Sequence, residues 1–488
     1  MSAHPAPAAA SRRTAPPCPA RRRGVLLLAL ALGGCGVVPG ATSSGLALPG
    51  RLRAEPEPEA PQWPDAAWWR GFRSAELDAL MRTAIAANTD IRAAAARVRQ
   101  ADAQVRIAAQ ALLPTGNLSF NAQRSQTPRT TIVTTGAGGF GGGGSRFLQR
   151  ESFSAGLGAA YEVDFWGRAR NTVAAAERTA AASRFDAGTV AITTTAALAN
   201  AYFAVLAARE QLAIQEQNLA VAARVLDVIR QRLAVGTTTG LEVAQQEALV
   251  AQLRATLPPL RQQVEQNRNA LGTLTGQPPE AVPMPEQPLA RVRVPPVSAG
   301  LPSEVLVRRP DVWFAEAALA AAQADVAAAR AALFPAIQLT ANGGVQSLVL
   351  ENLLRPGSVL YTLAAGLVQP VFQYGALRAT VEVQRARAEE LLEAYRRAIL
   401  DALVDVENAL VALRETTEGE RLQAQATAAA ERAYAISEER LRVGTIDLIT
   451  LLTTQTTLFN ARNQLVQARL ARLQAAVGLF RALGGGWR

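Results

Sequence analysis

The sequence predicts an α+β membrane fold made of two copies of one unit, each supplying two membrane-length strands and one very long helical hairpin. Three observations carry this. Residues 90–114 align without a gap on residues 311–335, period-two alternation follows in both copies, and each copy then runs 68 residues without proline.

The duplication comes first because it decides how every other element is counted. At an offset of 221, Asp90 matches Asp311, Ala101 matches Ala322, Val105 matches Val326, Leu112 matches Leu333 and Asn121 matches Asn342. Beyond the strands the offset becomes 208: "GRAR" at 167–170 meets "GALR" at 375–378, and "RLAVGT" from Arg232 meets "RLRVGT" from Arg440. Near the ends, "ALGTLTG" from Ala270 meets "GLFRALG" from Gly478. The expected organisation is a leader at 1–34, an N-terminal segment at 35–72, repeats at 73–277 and 301–488, and a proline-rich linker at 278–300.

Each repeat begins with an alanine-rich helix of about 24 residues ending at Pro114 or Pro335. A strand follows. In "NLSFNAQ", Leu118, Phe120 and Ala122 alternate with Ser119, Asn121 and Gln123; in "AIQLTANG", Ile337, Leu339 and Ala341 alternate with Gln338, Thr340 and Asn342. A second run follows a loop, with Phe153, Leu157, Tyr161 and Val163 in one copy and Val359, Tyr361, Leu363 and Leu367 in the other. Each run is near the 9–11 residues that a tilted membrane strand needs. The competing reading is a soluble four-stranded sheet.

The long stretches are Arg168–Val235 and Ala376–Val443. At 1.5 Å per residue, each predicts a helix of about 100 Å. Leu392, Tyr395, Ile399, Leu403, Val406, Leu410 and Leu413 recur at an average step of 3.5, the coiled-coil period. Both stretches end at "VGT", where glycine suits a left-handed stop, and a returning helix is expected after each. The uncharged stretch 187–208 is long enough to cross a bilayer as a helix. Its threonines, Asn200 and Tyr202 argue otherwise, and its counterpart carries Arg396, Arg397, Asp401 and Asp405.

The leader has its own signature. Arg21–Arg23 precede the apolar stretch "GVLLLALALGG", whose length suits a signal peptide and is too short to span a bilayer. Residues 32–35, "LGGC", resemble the lipobox of bacterial lipoproteins, in which cleavage precedes a cysteine that is then acylated. Cys35 is therefore the expected lipid-attachment site, and Gly36 after it favours the outer membrane. Cys18 has no apolar core before it.

Composition narrows the function classes. Cleavage before Cys35 leaves no histidine and a single, acylated cysteine, so imidazole bases, thiolate nucleophiles, disulfides and His/Cys metal sites are absent from the expected mature chain. No enzyme and no cofactor are expected. The fifty basic residues are all arginine, and setting aside the five in the leader leaves forty-five against forty acids, too small an excess to suggest nucleic acid. "GAGGFG" satisfies G-x-G-x-x-G, but "GGGSRF" follows where a helix should open, so a loop is expected.

Four strands cannot close a barrel, and an open sheet edge in lipid would leave backbone groups unpaired. The strands must be pooled from several chains. Lipobox, duplicated halves, two strands then a long hairpin in each, and "VGT" tips together resemble the TolC-like outer-membrane efflux proteins, specifically their lipoprotein branch.

That resemblance implies a homotrimer: a twelve-stranded outer-membrane β-barrel, four strands per chain, continuing into a twelve-helix periplasmic coiled-coil tunnel. It also implies a periplasmic adaptor protein and an inner-membrane transporter, expected to be proton-driven, as partners, with outer-membrane lipid around the barrel. Val235, Gly236 and Thr237, with Val443, Gly444 and Thr445, match the family's adaptor-docking tips. Ser119, Asn121, Gln123, Gln338, Thr340 and Asn342 are expected to line the lumen, and "TTGAGGFGGGGS" to form an outer loop. At the periplasmic gate, Thr450 and Thr453 stand where the family often carries aspartate. A constriction of Ile449 and Thr453 is expected instead, with Asp447 either forming a displaced ring or facing water. Small-molecule efflux is the leading function; a protein-exporting channel and a non-transporting envelope scaffold are the alternatives.

Overall fold

The computed structural model describes residues 44–47, 49, 51–53, 65–128, 147–296 and 302–486. The chain divides into residues 1–42, which carry the leader and Cys35 and lie outside the described residues, and residues 43–488. The outer-loop segment "TTGAGGFGGGGS" also lies outside them.

Two short helices, α1 (Ala75–Ala87) and α2 (Thr89–Ala109), lead into strands β1 (Thr115–Pro128) and β2 (Phe147–Val163). Helix α3 (Arg168–Ala234) then runs for 67 residues, and the chain returns as α4 (Gly240–Ala255) and α5 (Leu257–Thr275). The second repeat has α6 (Pro302–Arg308), α7 (Pro310–Ala331), β3 (Ala336–Ser347), β4 (Val359–Val368), the 69-residue α8 (Tyr374–Arg442) and α9 (Leu448–Ala482). The strands form one antiparallel sheet in sequence order, so β1 and β4 are edges. Where β2 hands over to α3, Asp164 caps the helix, accepting from the N–H groups of Ala169 and Arg170 at 2.9 and 2.8 Å.

Two features differ from expectation. Strands β1 and β2 are 14 and 17 residues long because their outer ends continue past the apolar band. There Arg124 pairs with Glu151 at 3.5 Å, a contact suited to water rather than hydrocarbon. The first returning helix is also broken in two, since Pro258 and Pro259 remove backbone donors and open a new helix beside Thr256. The second return is continuous.

The core sits at mid-length of α3. Leu198, Tyr202, Phe203 and Leu206 pack with Trp68, Phe72, Leu77, Met81, Leu271 and Phe480, and Trp68 stacks on Phe480 at 5.1 Å. This explains the apolar stretch 187–208, which fills the protein's own core. The proline-rich linker contributes too, burying Val282 and Leu289 in the same cluster.

The repeats are stapled alike. Asn88 Nδ2 donates to the Leu274 carbonyl at 2.8 Å, and Arg309, 221 positions later, donates to the Ala482 carbonyl at 3.0 Å. Gly276 (φ +68°) and Gly484 (φ +89°) sit so close to the carbonyls of Ala87 and Arg308 that a Cβ would lie 2.4 Å away in either place. Both need glycine.

Candidate functional site

The strand register sorts side chains onto two faces, since directly paired residues in antiparallel strands point the same way. Ser119, Asn121 and Gln123 pair with Gly156, Ser154 and Ser152, while Gln338, Thr340 and Asn342 pair with Glu162, Ala160 and Gly158 across β2 and β3. All six expected lumen residues therefore share one polar face. The other face carries Leu118, Phe120, Leu157, Tyr161, Leu339, Leu363 and Leu367, most of them exposed in the single chain. The sheet has one polar face and one apolar face.

The hairpin tips are near-copies. At the first, the Gly236 N–H donates to the Leu233 carbonyl at 3.0 Å and the Thr237 N–H to the Arg232 carbonyl at 2.9 Å; at the second, Gly444 donates to Leu441 at 3.1 Å and Thr445 to Arg440 at 2.9 Å. Both are Schellman stops, with glycine φ of +76° and +77°. Val235 and Val443 project from them, 74% and 63% exposed. Arg232 Nη2 joins the tips by donating to the Leu441 carbonyl at 3.0 Å.

The returning helices start differently. Thr239 and Glu242 form a capping box, with the Thr239 N–H 2.8 Å from the Glu242 carboxylate. At the second tip Asp447 is the cap, accepting from the Thr450 N–H at 2.8 Å. Hydrogen bonding from the Thr450 side chain, then its backbone, holds the Asp447 carboxyl below its ordinary 3.8. Asp447 is thus an exposed carboxylate whose structural task is to start α9.

The residues expected at the gate follow on α9. Ile449, 61% exposed, and Thr453 lie one turn apart on the outward side, opposite buried Leu448, Leu451 and Leu458. Thr453 Oγ1 donates to the Ile449 carbonyl at 2.8 Å, and Thr454, Thr456 and Thr457 likewise donate to carbonyls of their own helix. With hydroxyls turned inward to the backbone, these threonines present methyl groups. Thr450 belongs to the cap through its N–H, and the threonine-rich face as a whole is uncharged.

A buried polar set escaped the sequence reading. Asn218, Gln246 and Gln455 are fully buried, flanking the cluster of Ala222, Leu226, Val250 and Phe459 between α3, α4 and α9. Gln246 donates to the Ala222 carbonyl at 2.7 Å, whereas both carboxamide atoms of Asn218 and of Gln455 lack a partner among the described residues. The sequence signal was a row of amides at helical spacing on α3, Gln211, Gln215 and Asn218, all of them buried.

Known proteins match this arrangement. The family model "Outer membrane efflux protein" matches residues 80–277 and 301–485. The chain is 43% identical over 461 residues to the pyoverdine export outer membrane protein OpmQ of Pseudomonas aeruginosa, covering 94% of this chain and 95% of that one. It is 31% identical to the antibiotic efflux pump outer membrane protein ArpC of Pseudomonas putida, covering 94% of both. Among solved structures, the open-state MtrE outer membrane channel of Neisseria gonorrhoeae superposes with a TM-score of 0.80 at 28% identity, covering 91% of this chain and 97% of that one.

Proposed function

The chain belongs to the outer membrane efflux protein family, and on that premise we propose that three copies form a tunnel that a periplasmic adaptor couples to a proton-driven inner-membrane transporter. It is an outer-membrane efflux channel reaching into the periplasm.

One observation carries the assembly: a sheet with a polar face, an apolar face and two unpaired edges. In lipid those edges must be paired, and pairing β1 of one chain with β4 of the next closes a twelve-stranded barrel. Ser119, Asn121, Gln123, Gln338, Thr340 and Asn342 then face water inside. Below the barrel the hairpins line the tunnel, and their Schellman tips offer Val235 and Val443 as apolar knobs for the adaptor. The Thr237 and Thr445 hydroxyls donate back to the Arg232 and Arg440 carbonyls, which leaves those valines as the chief contact. Cys35 carries the lipid, adding membrane affinity of about 0.8 kcal/mol per buried CH₂.

Ile449 and Thr453 narrow the far end. Three copies of this methyl-bearing face would narrow the aperture and slow ions without closing it to them and without any carboxylate ring. The cargo is a small molecule, and the OpmQ likeness points to an exported metabolite.

The test is one preparation: full-length protein extracted from outer membrane in detergent. The particle is expected to weigh three acylated chains and to give conductance steps in planar bilayers little altered by millimolar divalent cations. A stable monomer would sink the barrel; strong divalent block would sink the uncharged gate.

A further inference from the structure

Resting on this channel reading, we propose that Asn117, Gly158 and Asn342 form a subsite in the barrel lumen that binds amide groups of passing solutes. Asn117 pairs with Gly158, and Gly158 with Asn342, so three successive strands set them side by side on the polar face. A Cβ on Gly158 would lie 2.8 Å from Asn117 Oδ1 and 2.9 Å from Asn342 Oδ1. The two carboxamides lean over the glycine from either side, and a larger residue would push them apart.

Their hydrogen-bonding capacity is unspent. On β1, Thr115 donates to the Ala160 carbonyl at 3.1 Å and Ser119 to the Gly156 carbonyl at 3.4 Å, which uses the neighbouring hydroxyls within the sheet. The side chains of Asn117 and Asn342 have no partner among the described residues. A carboxamide offers two donors and an acceptor, and a pair of them can grip an amide from both ends. The adjacent row, Ser119–Gly156–Gly344, is glycine in two of three strands. A Cβ on Gly344 would lie 2.4 Å from the Ala155 carbonyl, so the strands approach closely there and neither glycine puts a side chain beside the carboxamides.

Charge points to the same ligand class. Among the described residues, Arg150 and Glu162 are the charged side chains on this face, and Glu162 is held by Arg168 at 2.7 Å. The notch between them is neutral. Neutral amides therefore fit it better than ions, and a trimer would present six such carboxamides.

The experiment reads single-channel current in planar bilayers, with acetyl-triglycine amide added to the extracellular side and polyethylene glycol of equal mass as the control. Block by the peptide is expected to last about three- to tenfold longer than block by the polymer, as a net gain of about one modest hydrogen bond implies. The difference should vanish in Asn117→Ala/Asn342→Ala and in Gly158→Ala, and partly return in Asn117→Ser/Asn342→Ser, each variant's dwell times being compared with its own polymer control. Equal dwell times in the wild type and the alanine pair would overturn the subsite while leaving the channel intact. Absence of any conductance would overturn the channel and the subsite together.

Discussion

Helices α3 and α8 occupy the same place in the two repeats, yet they bury opposite amounts. Ile192 and Ala196 of α3 are buried, whereas Leu400 and Val404, 208 positions later, are 51% and 55% exposed although Val404 is the larger of its pair. The backbone framework is equivalent, as the Asn88 and Arg309 staples show. What differs is the covering. The first repeat carries the protein's own core at mid-length, with α1, the linker and the N-terminal aromatics around it. The second leaves Leu400 and Val404 uncovered among the described residues, an apolar stripe suited to contact with another chain. Duplication supplied one architecture, and divergence left α3 with more buried side chains than α8.

The sharpest way to break this comparison is truncation in each half. Phe203→Ala is expected to cost about 3–5 kcal/mol in denaturant unfolding, while Val404→Ala changes it by about 0.5 kcal/mol or less. Val404→Glu should instead dissociate the assembly in native mass measurements. Equal costs for the two alanine variants would mean the halves are buried alike.

Next in size are the unpaired amides. Asn218→Leu and Gln455→Leu remove buried polar groups without partners, so each is expected to raise stability, by up to about 1–3 kcal/mol. A loss in thermal unfolding would show that these amides are satisfied in the assembled channel.

The tips should behave as twins. Gly236→Ala and Gly444→Ala each force a side chain into a left-handed backbone, at about 1 kcal/mol apiece. A Cβ would meet nothing within 4 Å at either position, so no clash should separate them. Hydrogen exchange at the tips should report matching increases.

The smallest effect is acid sensitivity, where the twins part. Hydrogen bonds from the Thr238 hydroxyl and then the Thr239 N–H hold the Glu242 carboxyl below its ordinary 4.5, and Thr450 does the same for Asp447 relative to 3.8. A lowered native value means that stabilisation is complete above the ordinary value and fades as pH falls through the native one. Protection against exchange, measured relative to the intrinsic rate at each pH, should therefore fall below about pH 4 at both tips. Asp447→Asn keeps an acceptor and should flatten that response at the second tip alone.

Much of this was legible in the sequence. Period-two alternation placed all six polar strand residues on one face because strand geometry leaves no other arrangement once pairing is antiparallel. "VGT" marked both tips because only glycine takes the left-handed stop readily. Ile449 and Thr453 fell one turn apart by helix period alone. The rest depended on partners far away in the chain. Asn117 opened the alternating run, but its meeting with Asn342 over Gly158 needs a register that no local pattern encodes. The apolar stretch 187–208 could be told from a membrane span only once Trp68, Phe72 and Phe480 were seen around it. The hydroxyls of the α9 threonines turn to the helix backbone, a choice of rotamer that the residue type alone does not specify.

The length of α3 has a mechanical consequence. From Tyr202, held in the core, to Ala234 at the tip is 32 residues, or about 48 Å of stiff rod. A tilt of about 5° at the core would swing the free end sideways by about 4 Å, with no bond near the aperture needing to supply the motion. Because α3 packs on α4 and α9 toward its tip and Arg232 ties that tip to its twin, such a swing would carry both hairpins together, so that small adjustments in the core become larger displacements at the far end.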